Sequence, residues 1–186
     1  MTFLGACNKT HCDSGNINLA IPDDGGIQYI YPSLTMSGVS GTVTSVRVQT
    51  FVEHPSSGEL EIGLAFGSIL VPLTLNQGDI RPNLFNGTIW DDAGLFSPGD
   101  YPFVYDVVVP VLQPDAFLSN FTGEAPNGEW YLVVADTSVE NTGRLLRWVL
   151  DVNCESLGFP PWLILVIFTK LNPMYSHARL RRQSVR

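Results

Sequence analysis

Apolar and polar residues alternate with a period of two in four stretches of the chain, the pattern of strands with one buried face. Across 42–52, Val46, Val48, Thr50 and Val52 alternate with Arg47 and Gln49, and Leu60, Ile62, Leu64 and Phe66 then alternate with Glu61 and Gly63. Trp130, Leu132 and Val134 line one face of a strand predicted over 129–136. Leu146, Trp148, Leu150 and Val152 line one face of another over 144–152. The polar segment 137–143 between these two predicts an antiparallel hairpin, with an indole on each strand feeding the core. A short apolar run at 69–75 predicts a further strand, and the β-branched run at 103–111, bounded by Pro102 and Pro110, predicts another.

At least seven short strands separated by turns rich in Gly, Pro, Asn and Asp imply an all-β fold, either two packed antiparallel sheets or a jelly roll. Composition agrees: 17 Gly and 13 Pro in 186 residues supply turn geometry and interrupt helices, and 45% hydrophobic residues suffice for a sizeable core. Residues 1–19 show no period and read as a linker or the end of an upstream segment. The β-sandwich is expected over 20–153, and residues 154–186 form an apolar and then basic tail, so both ends are expected to be irregular.

Charge separates the same regions. Residues 1–153 carry 5 basic and 17 acidic side chains, whereas 154–186 carry 5 basic and 1 acidic. So many carboxylates argue against nucleic acid as a partner and suit a hard cation such as calcium. The apolar stretch 157–169 contains a Pro pair and is too short to span a bilayer as a helix, so no clear transmembrane segment is expected. The first fifteen residues lack the basic start and apolar run of a signal peptide. An extracellular or secretory-pathway location is nevertheless expected, for a chain cut from a longer reading frame, because sequons occur at Asn8, Asn86 and Asn120. Of the cysteines, Cys7 or Cys12 can bridge to Cys154 across the ends of the sandwich, or Cys7 and Cys12 can close a short loop.

Read in order, several segments form a set: Ile21-Pro-Asp23; His54-Pro-Ser-Ser-Gly58-Glu-Leu60; Phe85-Asn-Gly-Thr88-Ile-Trp-Asp91-Asp92; Asn127-Gly-Glu-Trp130-Tyr-Leu132; Asp136; and Gly143-Arg-Leu145. Together they resemble the P domain, or Homo B domain, of kexin- and furin-type proprotein convertases and related secreted subtilisin-like proteases. The resemblance covers about residues 20–152. Glu59 stands where that family usually has Asp, one methylene longer, and Phe66-Gly-Ser-Ile-Leu replaces its usual Ser-Pro-x-Gly-Thr turn. The resemblance implies a jelly-roll-like, galactose-binding-domain-like sandwich, with no catalytic role of its own, that stabilises and regulates a subtilisin-like catalytic domain in the same parent chain or in trans.

Catalysis by this chain is not expected, since no nucleophilic Ser stands in a strained Gly-x-Ser-x-Gly turn and the three histidines, His11, His54 and His177, lie far in sequence from any such group. His54 reads as a strand-end residue hydrogen-bonded to a loop. The better candidate is an oxygen-rich calcium site built from Glu59, Asp91, Asp92 and Asp136, if the sandwich brings those loop ends together. Each of the four is equally the kind of acid that caps a turn or faces solvent. The rival function is a free-standing, calcium-dependent adhesion or glycan- or protein-binding module that uses Trp90, Asp91 and Asp92 as its surface.

Overall fold

The structure, a computed structural model, describes residues 6–8, 10–23, 25–105, 107–139 and 141–155. In chain order the strands are β1 (Ala6–Asn8), β2 (His11–Asp13), β3 (Leu19–Ile21), β4 (Gln28–Ile30), β5 (Ser33–Met36), β6 (Thr42–Glu53), β7 (Leu60–Phe66), β8 (Ile69–Leu75), β9 (Asn86–Trp90), β10 (Val111–Leu112), β11 (Gly128–Asp136) and β12 (Gly143–Glu155). They form two sheets. One runs β1-β2-β12-β6-β9-β10, with β3 beside β2 along the same edge of β12. The other runs β4-β11-β7-β8, with β5 beside β4 along β11. Every pairing is antiparallel except that of β9 with β10. Among the described residues no helix is long and apolar enough to cross a membrane.

The alternating positions of β6 and β7 do what their period requires. Val46, Val48, Thr50 and Val52 are buried, as are Leu60, Ile62 and Leu64, with Phe66 packed against the same core. Between the sheets lie Trp90, Trp130, Trp148, Phe85 and Phe121, all without exposed surface. Trp130 stacks on Phe66, with centroids 4.1 Å apart, and meets the edge of Phe121 at 5.1 Å. Its indole N–H donates to the Pro126 carbonyl at 3.0 Å. Trp90 donates in the same way to the Thr50 hydroxyl at 3.0 Å, whereas the buried Trp148 indole N–H meets no acceptor.

Four sequence expectations are corrected. β11 and β12 are not a hairpin: β11 pairs with β7 and β12 with β6, so the 137–142 connection passes from one sheet to the other. Two strands that send indoles into one core can pair or can face each other, and alternation alone does not distinguish these. Leu146 is only half-buried because a bulge between Leu145 and Arg147 shifts the register, and Leu145 takes the core position instead. The described residues of 103–110 form no strand: among them Val109 alone is buried, and its amide bonds to Leu84, while Val104, Tyr105, Val107 and Val108 are exposed. The segment is β-branched but does not alternate, so composition misled.

The fourth correction concerns residues 1–19. Rather than a linker, its described residues supply β2 and the start of β3, which pair with the edge of β12, and β1, which pairs with β2, in three-residue pieces too short to show a period. A Cys7–Cys12 disulfide closes the β1–β2 turn, and Cys154 keeps its thiol, whose pKa burial pushes up. A bridge to Cys154 is out of reach, since Cys12 pairs with Leu150, four residues or roughly 13 Å along β12 from Cys154. Of the sequon asparagines, Asn120 is exposed in the 3-10 turn Leu118–Phe121 and Asn86 is half-buried at the start of β9. The Asn8 side chain lies outside the described set.

Candidate functional site

β6 delivers His54 just past its end, and the chain then folds tightly back through a 3-10 turn, Ser57–Glu59, into β7. The turn is held from below by the 76–84 loop. The Ser57 amide donates to Arg81 O at 2.8 Å, the Gly58 amide to Asp79 O at 2.9 Å, and the Leu84 amide to the Ser57 hydroxyl at 3.0 Å. Gly58 is required by this closeness, because a β-carbon there would lie 2.7 Å from the Asp79 nitrogen. On the other side β11 ends in Asp136. The Thr137 amide and hydroxyl both donate to Glu59 O at 2.9 Å, which ties the end of β11 to the start of β7.

The result is a cluster of His54, Glu59 and Asp136 whose polar atoms lie within 4.8 Å of one another. His54 Nε2 is 2.8 Å from Asp136 Oδ2, and neither side chain is exposed. A carboxylate only accepts, so Nε2–H donates to it. Nδ1 lies 2.7 Å from the Ser56 carbonyl oxygen and 3.1 Å from the Ser56 amide, and can donate to the first when protonated or accept from the second when not. The other Asp136 oxygen accepts from the Ser138 amide at 3.1 Å, and the Glu59 carboxylate accepts from Asn141 Nδ2 at 3.1 and 3.2 Å. Gly143, the first residue of β12, closes the site: a β-carbon there would lie 2.3 Å from His54 Cδ2 and 2.9 Å from Glu53 O. A cleft of about 410 Å³ lined by Ile21, Glu53, His54, Asn83, Gly143 and Arg144 opens beside it.

Asp91 and Asp92 are elsewhere. Asp91 accepts from the Arg47 guanidinium and the Ala93 amide. Burial raises its carboxyl pKa, but these donors outweigh burial and hold it below the usual value. Arg47 sits seven residues before His54 on β6, so the two acidic groups are roughly 20 Å apart. The Asp92 oxygens cap the 118–121 turn, accepting from the Leu118 amide at 2.7 Å and the Ser119 amide at 2.8 Å. The four carboxylates proposed as calcium ligands therefore divide into a Glu59–Asp136 pair and two acids with local partners. Trp90, pictured as part of an adhesive surface with Asp91 and Asp92, is fully buried.

With its ring buried and both nitrogens occupied, His54 has no face to offer a substrate. What the cluster can do is lock three loop ends together through buried, charge-assisted hydrogen bonds. His54, Gly58 and Glu59 share one sequence motif while Asp136 and Gly143 belong to two others, and the fold brings all five into one site. Sequence reading gave no role to Asn141 or Thr137, and a polar residue in a polar loop carries no signal that would have found them.

No curated protein matches the chain. Residues 111–152, which span β10 to β12 and include Asp136 and Gly143, match the family model of the proprotein convertase P-domain and bear out the P-domain resemblance of this chain.

Proposed function

We propose that the sandwich is a noncatalytic module that packs against a subtilisin-like serine endopeptidase domain, in the same parent chain or in trans, and stabilises it during proprotein processing in the secretory pathway. The observation that carries this reading is the convergence at one buried site of motif residues from inside and outside the matched segment. Asp136 and Gly143 fall within the match, while His54, Gly58 and Glu59 fall outside it and complete the cluster. Such a locked set of loop ends gives a rigid scaffold, which is what a stabilising partner needs. The test is to mix this chain with a convertase-type catalytic domain and follow thermal melting. A rise in the melting temperature of the catalytic domain that saturates with concentration supports the module; no shift at high concentration removes it.

Calcium, if bound here, would have to use Glu59 and Asp136. Their oxygens already accept from Asn141, Ser138 and His54, and an imidazole nitrogen is a poor ligand for so hard a cation. The residues present do not fit that ion, and no step of the proposed function runs through it.

A further inference from the structure

The outer face of the β4-β11-β7-β8 sheet carries an open groove of about 530 Å³. Its floor exists because the outward row of β7 reads Glu61, Gly63, Ala65, so two successive positions have almost no side chain. Register places larger groups on both flanks. Tyr29 and Leu75 stand at the two ends of the row through Glu61, Pro72 beside Gly63, and Tyr131 and Leu70 on either side of Ala65. Tyr29 and Tyr31 stack at 6.2 Å and are 42% and 58% exposed, and Leu70 is 60% exposed, so the face is open to solvent. From Glu61 to Ala65 the floor is about 13 Å long, room for about four residues of extended chain.

The chemistry of this face is aromatic and aliphatic with acid at its margins. The Tyr29 hydroxyl donates to Glu61 at 2.9 Å and that of Tyr131 to Glu129 at 2.6 Å, bonds that hold both phenols above their ordinary pKa. Among the described residues, no Lys or Arg lines the groove. Arg47, Arg81 and Arg147 pair with Asp91, Asp79 and Asp13, and Arg144 bonds Asn18, so these four are engaged elsewhere. All 18 Asp and Glu of the chain precede residue 156, against 5 Lys and Arg.

We infer that this groove binds an extended segment of a partner protein in which arginine or lysine alternates with apolar side chains. A guanidinium laid over Tyr29 and Tyr31 gains the attraction of the ring faces and reaches the Glu61 carboxylate, while apolar neighbours cover Leu70, Pro72 and Leu75. The aliphatic flank favours peptide over glycan, because a sugar would need a hydrogen-bond partner where Leu70, Pro72, Leu75 and Val133 supply none. This surface does not depend on the protease-domain partner proposed above.

The test is fluorescence anisotropy of the full chain with two labelled pentapeptides, acetyl-Leu-Arg-Val-Arg-Leu-amide and its glutamate counterpart acetyl-Leu-Glu-Val-Glu-Leu-amide. The arginine peptide is expected to bind, more weakly as salt rises, and the glutamate peptide not to bind. Glu61→Gln and Tyr31→Ser should each weaken binding by about tenfold, the loss of one charge-assisted or cation–π contact. Phe117→Ser, at an exposed residue outside the groove, should leave it unchanged. Both groove positions are at the surface, and unchanged melting curves confirm that the variants fold. Absence of binding at millimolar peptide overturns the inference, as does equal binding of the two peptides, or binding that Glu61→Gln and Tyr31→Ser leave intact. Perturbation of the Tyr29 and Tyr31 resonances by a neutral oligosaccharide but not by the arginine peptide would assign the groove to glycans instead.

Discussion

Nε2 of His54 lies 2.8 Å from Oδ2 of Asp136, a residue 82 positions away, and neither side chain reaches solvent. Removing one member of such a pair leaves the other buried without its partner, which costs about 3–5 kcal/mol. His54→Ala and Asp136→Ala are each expected to lose that much in urea denaturation. The double variant should lose clearly less than the sum, since the second truncation strands nothing new. Additive losses would show that the two residues do not act as a pair.

Gly143 sets the edge of the same site. A methyl there would stand 2.3 Å from the imidazole and 2.9 Å from a carbonyl oxygen, so Gly143→Ala must displace His54 or bend β12. The expected loss is about 1–3 kcal/mol, as for other overpacked sites. Gly99 is the control: its φ is not in the left-handed region, and the nearest atom to an added β-carbon is the Ser97 hydroxyl at 4.0 Å. Gly99→Ala should be neutral or slightly stabilising, because it reduces the freedom of the unfolded chain.

The residues of this site differ in how far the sequence marks them. The alternation in β6 and β7 marks half-buried strands because the apolar positions repeat without a break from Val46 to Val52 and from Leu60 to Phe66. In β12 the bulge between Leu145 and Arg147 shifted the face, and nothing in the letters marks a bulge without a glycine. His54, Gly58, Glu59, Asp136 and Gly143 were visible as motif residues, but their meeting depends on β11 and β12 entering different sheets, a pairing choice that alternation does not encode. The same ignorance allowed Asp91 and Asp92 to be grouped with Glu59, although Arg47 and the 118–121 turn hold them elsewhere.

The disposition of the carboxylates bears on calcium. Asp136 and Glu59 accept from protein N–H groups, and Asp91 and Asp92 do the same at separate places. Thermal melting of the isolated chain with and without EDTA should therefore give the same midpoint. A drop of several degrees on chelation would show that an ion displaces some of these donors.

Acid should weaken the edge that β2 makes with β12. The Arg147 guanidinium hydrogen-bonds both Asp13 oxygens, and the Asp13 carboxyl pKa is lowered by that bond against the opposing effect of burial, with the Gly15 amide also helping. A carboxylate whose pKa is depressed by folding adds stability above its unfolded value of 3.8 and loses it as pH falls through the lower folded value. Stability measured from pH 7 to pH 2 should thus fall less steeply in Asp13→Asn than in the parent below about pH 4. The effect is small, at most about 1 kcal/mol, because both side chains are partly exposed and screened by solvent. Parallel profiles would remove the ion pair from the account of acid sensitivity.

The three core tryptophans are unequal in a way that mutation can expose. Trp130 is stacked on Phe66, edged by Phe121 and bonded through its N–H to Pro126, so Trp130→Ala should cost about 3–5 kcal/mol. Gly128 is part of this arrangement, because a β-carbon there would approach Phe66 to 3.1 Å. The more telling comparison is with phenylalanine. Trp130→Phe removes ring volume and also strands the Pro126 carbonyl, whereas Trp148→Phe removes volume together with an N–H that has no acceptor. Burying an unpaired donor costs about 1–3 kcal/mol, so its removal offsets much of the lost packing at position 148 and none of it at position 130. Chemical denaturation should therefore rank Trp148→Phe as the milder change by at least about 1 kcal/mol. Equal losses would mean that the Trp148 N–H is paired in solution.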